Sequence, residues 1–198
     1  MTIPIKAYAA TAPRASLEPF SYDPGELGPE EVEIKVTHCG ICHSDLSMLD
    51  NEWGLSKYPF VPGHEAVGTI VALGESAKGL KIGQRVGVGW SAYSCLHCQA
   101  CLTGNHHLCP ESQGTIVGRY GGFADRLRVQ WLWARPLPDS LDIAKAGPLL
   151  CAPSKGRLHV RTALAHRSHV AHGFLRGRLT HVFICGEPRA GERYPVRA

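Results

Sequence analysis

Four cysteines within fifteen residues constrain this chain more than any other feature. The stretch C-L-H-C-Q-A-C-L-T-G-N-H-H-L-C sets Cys95, Cys98, Cys101 and Cys109 at intervals of two, two and seven residues. It has too few apolar side chains to build a core of its own, so something other than hydrophobic burial must hold it. Four thiolates around one tetrahedral zinc would do so, with the metal supplying the local folding energy. The C-x2-C-x2-C spacing also occurs around iron–sulfur clusters, and Cys109-Pro110 partly imitates the cysteine–proline that closes that pattern. Zinc is the preferred assignment, because the ferredoxin pattern expects its fourth cysteine sooner. His97, His106 and His107 read as solvated loop residues.

A second group of ligand types lies upstream, in C-G-I-C-H-S-D and V-P-G-H-E-A-V-G. Cys42, His64 and Glu65 offer a thiol, an imidazole and a carboxylate, and Gly63 would leave room for a metal against the backbone. Taken singly, Cys42 reads as a buried thiol and His64 as a core histidine. Together they suggest a catalytic type of zinc site, since closed structural sites use thiolates and imidazoles only. A further ligand must come from elsewhere, and Cys151 in G-P-L-L-C is the candidate.

The frame around these residues reads as mainly β. Residues 3–10 form a first strand, and 16–21 could pair with it. Asp23 to Pro29 is turn chemistry. In E-V-E-I-K-V-T-H-C, Val32, Ile34 and Val36 alternate with Glu31, Glu33, Lys35 and Thr37, the pattern of a half-buried strand. Cys42 then opens a short helix whose first turn holds Ser44 and Asp45, residues suited to accept from free N–H groups. Pro59 and Pro62 stiffen the approach to His64. A buried strand follows at V-G-T-I-V-A-L-G, residues 78–88 read as a turn and another strand, and 121–135 reads as two strands in succession. Ser140 is the expected cap of a short helix leading to Cys151. Many short strands, frequent glycine and few helical periods suggest a compact, irregular β-barrel with short helices.

Charge divides the chain. Residues 1–151 carry 12 Lys+Arg against 15 Asp+Glu, whereas 152–198 carry 9 against 2. The basic character therefore belongs to the tail, which holds five histidines and eight arginines. Its abrupt composition reads as a shifted reading frame, giving an aberrant, poorly ordered tail. The alternative is a genuine basic tail for a polyanion, although no nucleic-acid-binding module is recognisable in it. No apolar run is long enough to cross a bilayer, so no membrane partner is expected. The amino terminus has no basic region followed by an apolar core. Eight cysteines without such a leader point to a reducing compartment, the cytoplasm.

C-G-I-C-H-S-D, G-H-E-A-V-G, the four-cysteine lobe and G-P-L-L-C together resemble the zinc-dependent medium-chain alcohol dehydrogenases. The likeness covers essentially all of residues 1–151. N-E-W-G, V-G-V-G-W and G-G-F-A are similar to the cinnamyl-alcohol-dehydrogenase-like branch and to bacterial NADPH-dependent aldehyde reductases. The resemblance implies a GroES-like catalytic domain over 1–151, with a structural zinc lobe over 94–110. Cys42, His64 and Cys151 would hold a catalytic zinc, with Glu65 as a fourth or exchangeable ligand. Cys95, Cys98, Cys101 and Cys109 would hold a structural zinc. Ser44 would pass the alcohol proton, Asp45 would orient the ligands, and His43 would meet the cofactor pyrophosphate. Trp53 and Trp90 could line a pocket for an apolar aldehyde, or be ordinary barrel or surface aromatics. Hydride would come from NADP(H), and relatives of full length would be homo-oligomers.

Two departures accompany the resemblance. Ser47 stands where relatives often carry a second histidine, so a proton relay beyond Ser44 would run differently, through water. After Cys151 the family continues into a Rossmann domain with a glycine-rich turn, and no G-x-G-x-x-G occurs here. The expectation is therefore a truncated catalytic half of doubtful activity. The alternative is a non-catalytic zinc-binding module with a basic polyanion-binding tail.

Overall fold

The computed structural model describes residues 3–151 and the two-residue strand Val182–Phe183. The rest of the basic tail lies outside the described residues, and so does the expectation of an aberrant tail over 152–198.

Strand β3 (Glu31–Gly40) is the spine of the molecule. On one side it pairs antiparallel with β4 (Ala66–Leu73), which pairs with β5 (Arg85–Val88) and then β9 (Arg135–Pro136). It also pairs with β8 (Arg126–Gln130) through its first half and with β10 (Val182–Phe183) at Cys39 and Gly40. A hairpin of β1 (Ile5–Ala9) and β2 (Glu18–Tyr22) is tied to this sheet through Ala7 and Ala124. Val32, Ile34 and Val36 alternate inward as the sequence predicts, and they meet Ile70, Val86, Leu127, Val129 and Ile5 in one core. Two bulges in the β3–β4 pairing bend the spine.

Three local expectations give way. Glu33, expected to face solvent, is buried. Arg126 donates to it at 2.6 Å and Arg128 at 2.9 Å, both from the facing strand β8. Burial alone would raise this carboxyl, but the two guanidiniums outweigh it and hold Glu33 below the usual range. The stretch 121–135 yields one strand of five residues, then a 3-10 turn at Trp131–Trp133 and the two-residue β9. The ladder ends there because Gln130 faces Glu31, the first residue of β3. Trp131 N–H turns instead to the Glu30 carbonyl. Asp142, not Ser140, caps the last 3-10 turn, Ile143–Lys145, by accepting from Ala144 N–H.

Candidate metal centres

The first cluster sits where β3 ends. Cys42 is the N-cap of α1 (His43–Leu49). Asp45, in the first turn of that helix, is buried and takes three donors. Its Oδ2 accepts from Cys42 N–H at 3.0 Å. Its Oδ1 accepts from Gly63 N–H at 2.8 Å and from His64 Nδ1 at 2.9 Å. A carboxylate facing Nδ1 places the imidazole proton on that nitrogen. Nε2 then faces the sulfurs, and Cys151 Sγ lies 3.3 Å from it. Gly63 has φ +104, and a Cβ there would collide with Phe123 and the Cys39 sulfur. The glycine thus serves the turn and the packing of Phe123, not room for a metal as the sequence suggested.

Cys151 arrives on α3 (Pro148–Cys151), which is held by close backbone approaches. Gly89 leaves space for the Leu150 carbonyl, which a Cβ would approach to 2.4 Å, and Leu150 methyls lie over Gly87. The Cys151 and Cys42 sulfurs stand 3.8 Å apart. The ligand atoms of Cys42, His64, Glu65 and Cys151 all lie within 4.8 Å of one another. Glu65 Oε2 is buried with no hydrogen-bond partner among the described residues. Burial pushes this carboxyl up to about 7 against the pull of His64. Cys42 is lowered by its hydrogen bonds from Cys151 and His64, and Cys151 is raised by the same sulfur contact and by burial.

The neighbours of the cluster divide the remaining sequence-predicted residues. The Cys42 thiol donates to the half-buried Ser44 hydroxyl at 3.7 Å. His43 is exposed on the first turn of α1. The Trp90 ring meets His64 edge-on at 5.1 Å, and Trp53, 47% exposed, meets Trp90 at 6.0 Å. These tryptophans therefore reach out from the cluster in sequence as one aromatic wall. Ser47, in the place of the missing histidine, is buried within α1. The role of Asp45 beyond helix capping carries no local signal, since its partners Gly63 and His64 lie 18 and 19 positions away.

The second cluster forms its own small lobe. Cys98 caps α2 (Gln99–Leu102), and Cys95, Cys101 and Cys109 are buried against one another. The Cys95 and Cys101 sulfurs are 4.0 Å apart, and all four ligand sulfurs lie within 4.8 Å. Cys95 N–H donates to Cys109 Sγ at 3.4 Å and Cys98 N–H to Cys95 Sγ at 3.3 Å. Such donors favour thiolates; the Cys95 N–H lowers Cys109 to about 7, although burial raises Cys101. His97 and His107 are exposed as expected. His106 is not fully solvated, because its ring packs edge-on against Trp133 at 6.5 Å.

Both donor sets fit zinc. A tetrahedron with zinc–sulfur bonds of about 2.3 Å has sulfur–sulfur edges of about 3.8 Å. The sulfur–sulfur separations of 3.8 Å for Cys42–Cys151 and 4.0 Å for Cys95–Cys101 are close to that value. No cysteine of either cluster is in a disulfide. Two thiolates, an imidazole and a buried carboxylate whose Oε2 has no hydrogen-bond partner suit a site that exchanges a ligand; four thiolates suit a closed one.

A mainly β domain that carries a four-cysteine lobe and a separate Cys/His/Glu cluster is the class that the fold and the two groups define. The chain belongs to the alcohol dehydrogenase GroES-like domain family, whose model matches residues 28–139. It is 54% identical over 147 residues to the aldehyde reductase AdhA of Synechocystis sp., covering 74% of this chain and 44% of that one. It is 43% identical over 145 residues to cinnamyl alcohol dehydrogenase 8 of Arabidopsis thaliana, covering 69% and 40%. Among solved structures it resembles a cinnamyl alcohol dehydrogenase of Sorghum bicolor, with TM-score 0.71 and 38% identity, over 75% and 45% of the two chains. It also resembles that of Helicobacter pylori complexed with NADP(H), with TM-score 0.72 and 29% identity, over 76% and 46%. The chain spans less than half the length of these relatives. Among the described residues no helix is long and apolar enough to cross a membrane.

Proposed function

We propose that residues 1–151 are the metal-bearing catalytic part of a zinc-dependent alcohol dehydrogenase that interconverts small aldehydes and alcohols with NADP(H). The observation that carries this reading is the convergence of Cys42, His64, Glu65 and Cys151 within 4.8 Å, with one buried carboxylate oxygen left unpartnered. Cys42, His64 and Cys151 hold a catalytic zinc, with Glu65 as the exchangeable ligand. Cys95, Cys98, Cys101 and Cys109 hold a structural zinc in the lobe over 94–110. When bound, zinc supplies a Lewis acid for the carbonyl oxygen, and NADP(H) supplies the hydride.

The protein's own groups prepare this chemistry. Asp45 fixes the His64 tautomer and aims Nε2 at the pocket. The Ser44 hydroxyl, beside Cys42 and half-buried, holds the proton exchanged with the substrate oxygen. Buried Ser47 offers no imidazole to continue that path, so water carries the proton outward. Trp90 and Trp53 exclude water along one wall and favour an apolar aldehyde. Exposed His43, at the first turn of α1, is the group for the cofactor pyrophosphate. Function in the cytoplasm accords with this assignment, and homo-oligomers are the state proposed for relatives of full length.

Metal analysis tests it. Cys42→Ala should lose one equivalent of zinc and keep the lobe loaded. An unchanged zinc content would refute the ligand assignment. Two bound zinc ions without aldehyde-dependent NADPH oxidation would favour the non-catalytic module, and salt-dependent polyanion binding lost on removal of 152–198 would assign the tail.

A further inference from the structure

We propose that Cys42 and Cys151 form a thiol pair whose oxidation by a peroxide and whose occupation by zinc exclude each other. The proposal rests on the ligand assignment above and concerns the metal-free pocket. The two sulfurs already stand 3.8 Å apart. A disulfide needs about 2.05 Å, so the two sulfurs have about 1.8 Å to close. Cys42 lies at the mouth of α1 in extended backbone, and Cys151 ends the four-residue α3. Neither sulfur is on a strand whose pairing must break for it to turn.

Exposure and pairing together select these two over the other cysteines. Among the described cysteines Cys42, Cys98 and Cys151 are half-buried; Cys42 and Cys151 face each other, whereas Cys98 has only the buried Cys95, Cys101 and Cys109 around it. In the lobe the sulfurs also accept backbone N–H groups, which hold them in place. A small neutral peroxide therefore meets the Cys42–Cys151 pair first. The Cys42 sulfur attacks one peroxide oxygen; the S–O bond forms, the O–O bond breaks, and the departing oxygen leaves as water after taking up a proton. The Cys151 sulfur then attacks the Cys42 sulfur. The S–S bond forms, and the S–O bond breaks with release of a second water that carries the Cys151 proton. Two thiols are oxidised by two electrons and hydrogen peroxide is reduced to two waters. The disulfide removes two ligands, leaving His64 and Glu65 unable to retain zinc. Bound zinc, in turn, occupies both sulfurs and blocks the attack.

Peptide mapping under non-reducing conditions reads the outcome directly. The full chain is stripped with a chelator under reductant, exchanged into buffer and exposed to graded hydrogen peroxide, with zinc-loaded chain treated in parallel. A peptide joining Cys42 to Cys151 should appear at the lowest peroxide, before any lobe crosslink, and be absent from the loaded sample. The oxidised chain should take up one equivalent less zinc and regain it after dithiothreitol. Cys151→Ser should give no such peptide and drive Cys42 to sulfinic acid. Lack of the 42–151 peptide in stripped chain, or equal formation with zinc bound, would overturn the proposal. The two readings fail separately. If reduced chain binds no zinc that Cys42→Ala removes, the ligand assignment falls; if it does but no crosslink forms, only the switch falls.

Discussion

Asp45→Asn separates a helix cap from a support of the metal pocket. Asp45 is 3% exposed and accepts from Cys42 N–H, Gly63 N–H and His64 Nδ1 at 3.0, 2.8 and 2.9 Å. Asparagine keeps the shape but has one acceptor oxygen, and its NH2 must face one of these donors. With the amide oxygen in the Oδ1 place, Gly63 and His64 keep neutral bonds and Cys42 N–H loses its partner. Bonds to a charged group contribute about 1.5–3 kcal/mol against about 0.5–1.5 for neutral ones, and an orphaned buried donor costs about 1–3 kcal/mol. The sum is about 3–6 kcal/mol in unfolding free energy. Metal affinity should fall as well, by roughly 10–100-fold, because His64 exchanges a charged acceptor for a neutral one that orients and polarises its ring less. Urea unfolding of the metal-free chain reads the first quantity, and chelator competition reads the second. A helix cap alone predicts about 1 kcal/mol and unchanged zinc affinity. A loss that small, with affinity intact, would refute the argument that Asp45 orients the cluster.

Three further outcomes follow from the geometry. Cys101→Ser should lose one equivalent of zinc and open the lobe to proteolysis between 95 and 112, leaving the barrel folded, since the four sulfurs pack apart from the main core; loss of all cooperative unfolding would contradict that separation. Gly89→Ala puts a Cβ about 2.4 Å from the Leu150 carbonyl, so the segment carrying Cys151 must move; the zinc lost should be the one that Cys42→Ala also removes, and full metal content would refute it. Glu33→Gln should lower stability near neutral pH by about 2 kcal/mol, because it discharges the carboxylate between Arg126 and Arg128. Glu33 is depressed in the folded protein, so its contribution is full above the unfolded-state value of about 4.3 and fades as pH falls through the lower folded value. Wild type and variant should converge in acid, and a gap that persists below both values would show that the charge is not its source.

The β-spine and the ligands were legible in the sequence for different reasons. Val32, Ile34 and Val36 announce their strand because one side of a sheet must be dry, and period-two alternation records that directly. The eight residues of the two clusters stand out as candidate ligands because few side chain types bind zinc, although Cys42 and His64 taken singly read as core residues. Glu33 was misread because its burial depends on Arg126 and Arg128, some 93 and 95 positions away on β8, and alternation says nothing of what covers the second face. W-L-W continues the strand pattern of 126–130, yet the backbone turns there because β3 offers no residue before Glu31 to pair with. Strand length is thus set by the partner as much as by the strand's own residues.

The same asymmetry explains how the mixed cluster is held. Its ligands come from three stretches, and only the cysteine, histidine and glutamate themselves carry a chemical signature. What brings Cys151 to Cys42 is absence: Gly87 and Gly89 lack side chains where Leu150 lies down. What aims His64 is a carboxylate that a sequence reader would assign to a helix cap. A glycine inside a strand pattern and an aspartate in a first helical turn each have a sufficient local explanation. The local explanation conceals the long-range one: for Asp45 only the family resemblance pointed to it, and for Gly89 only the position of Leu150 reveals it. Substitutions at Gly89 and Asp45 should therefore disturb metal binding more than their local roles predict, while the ligands themselves remain untouched.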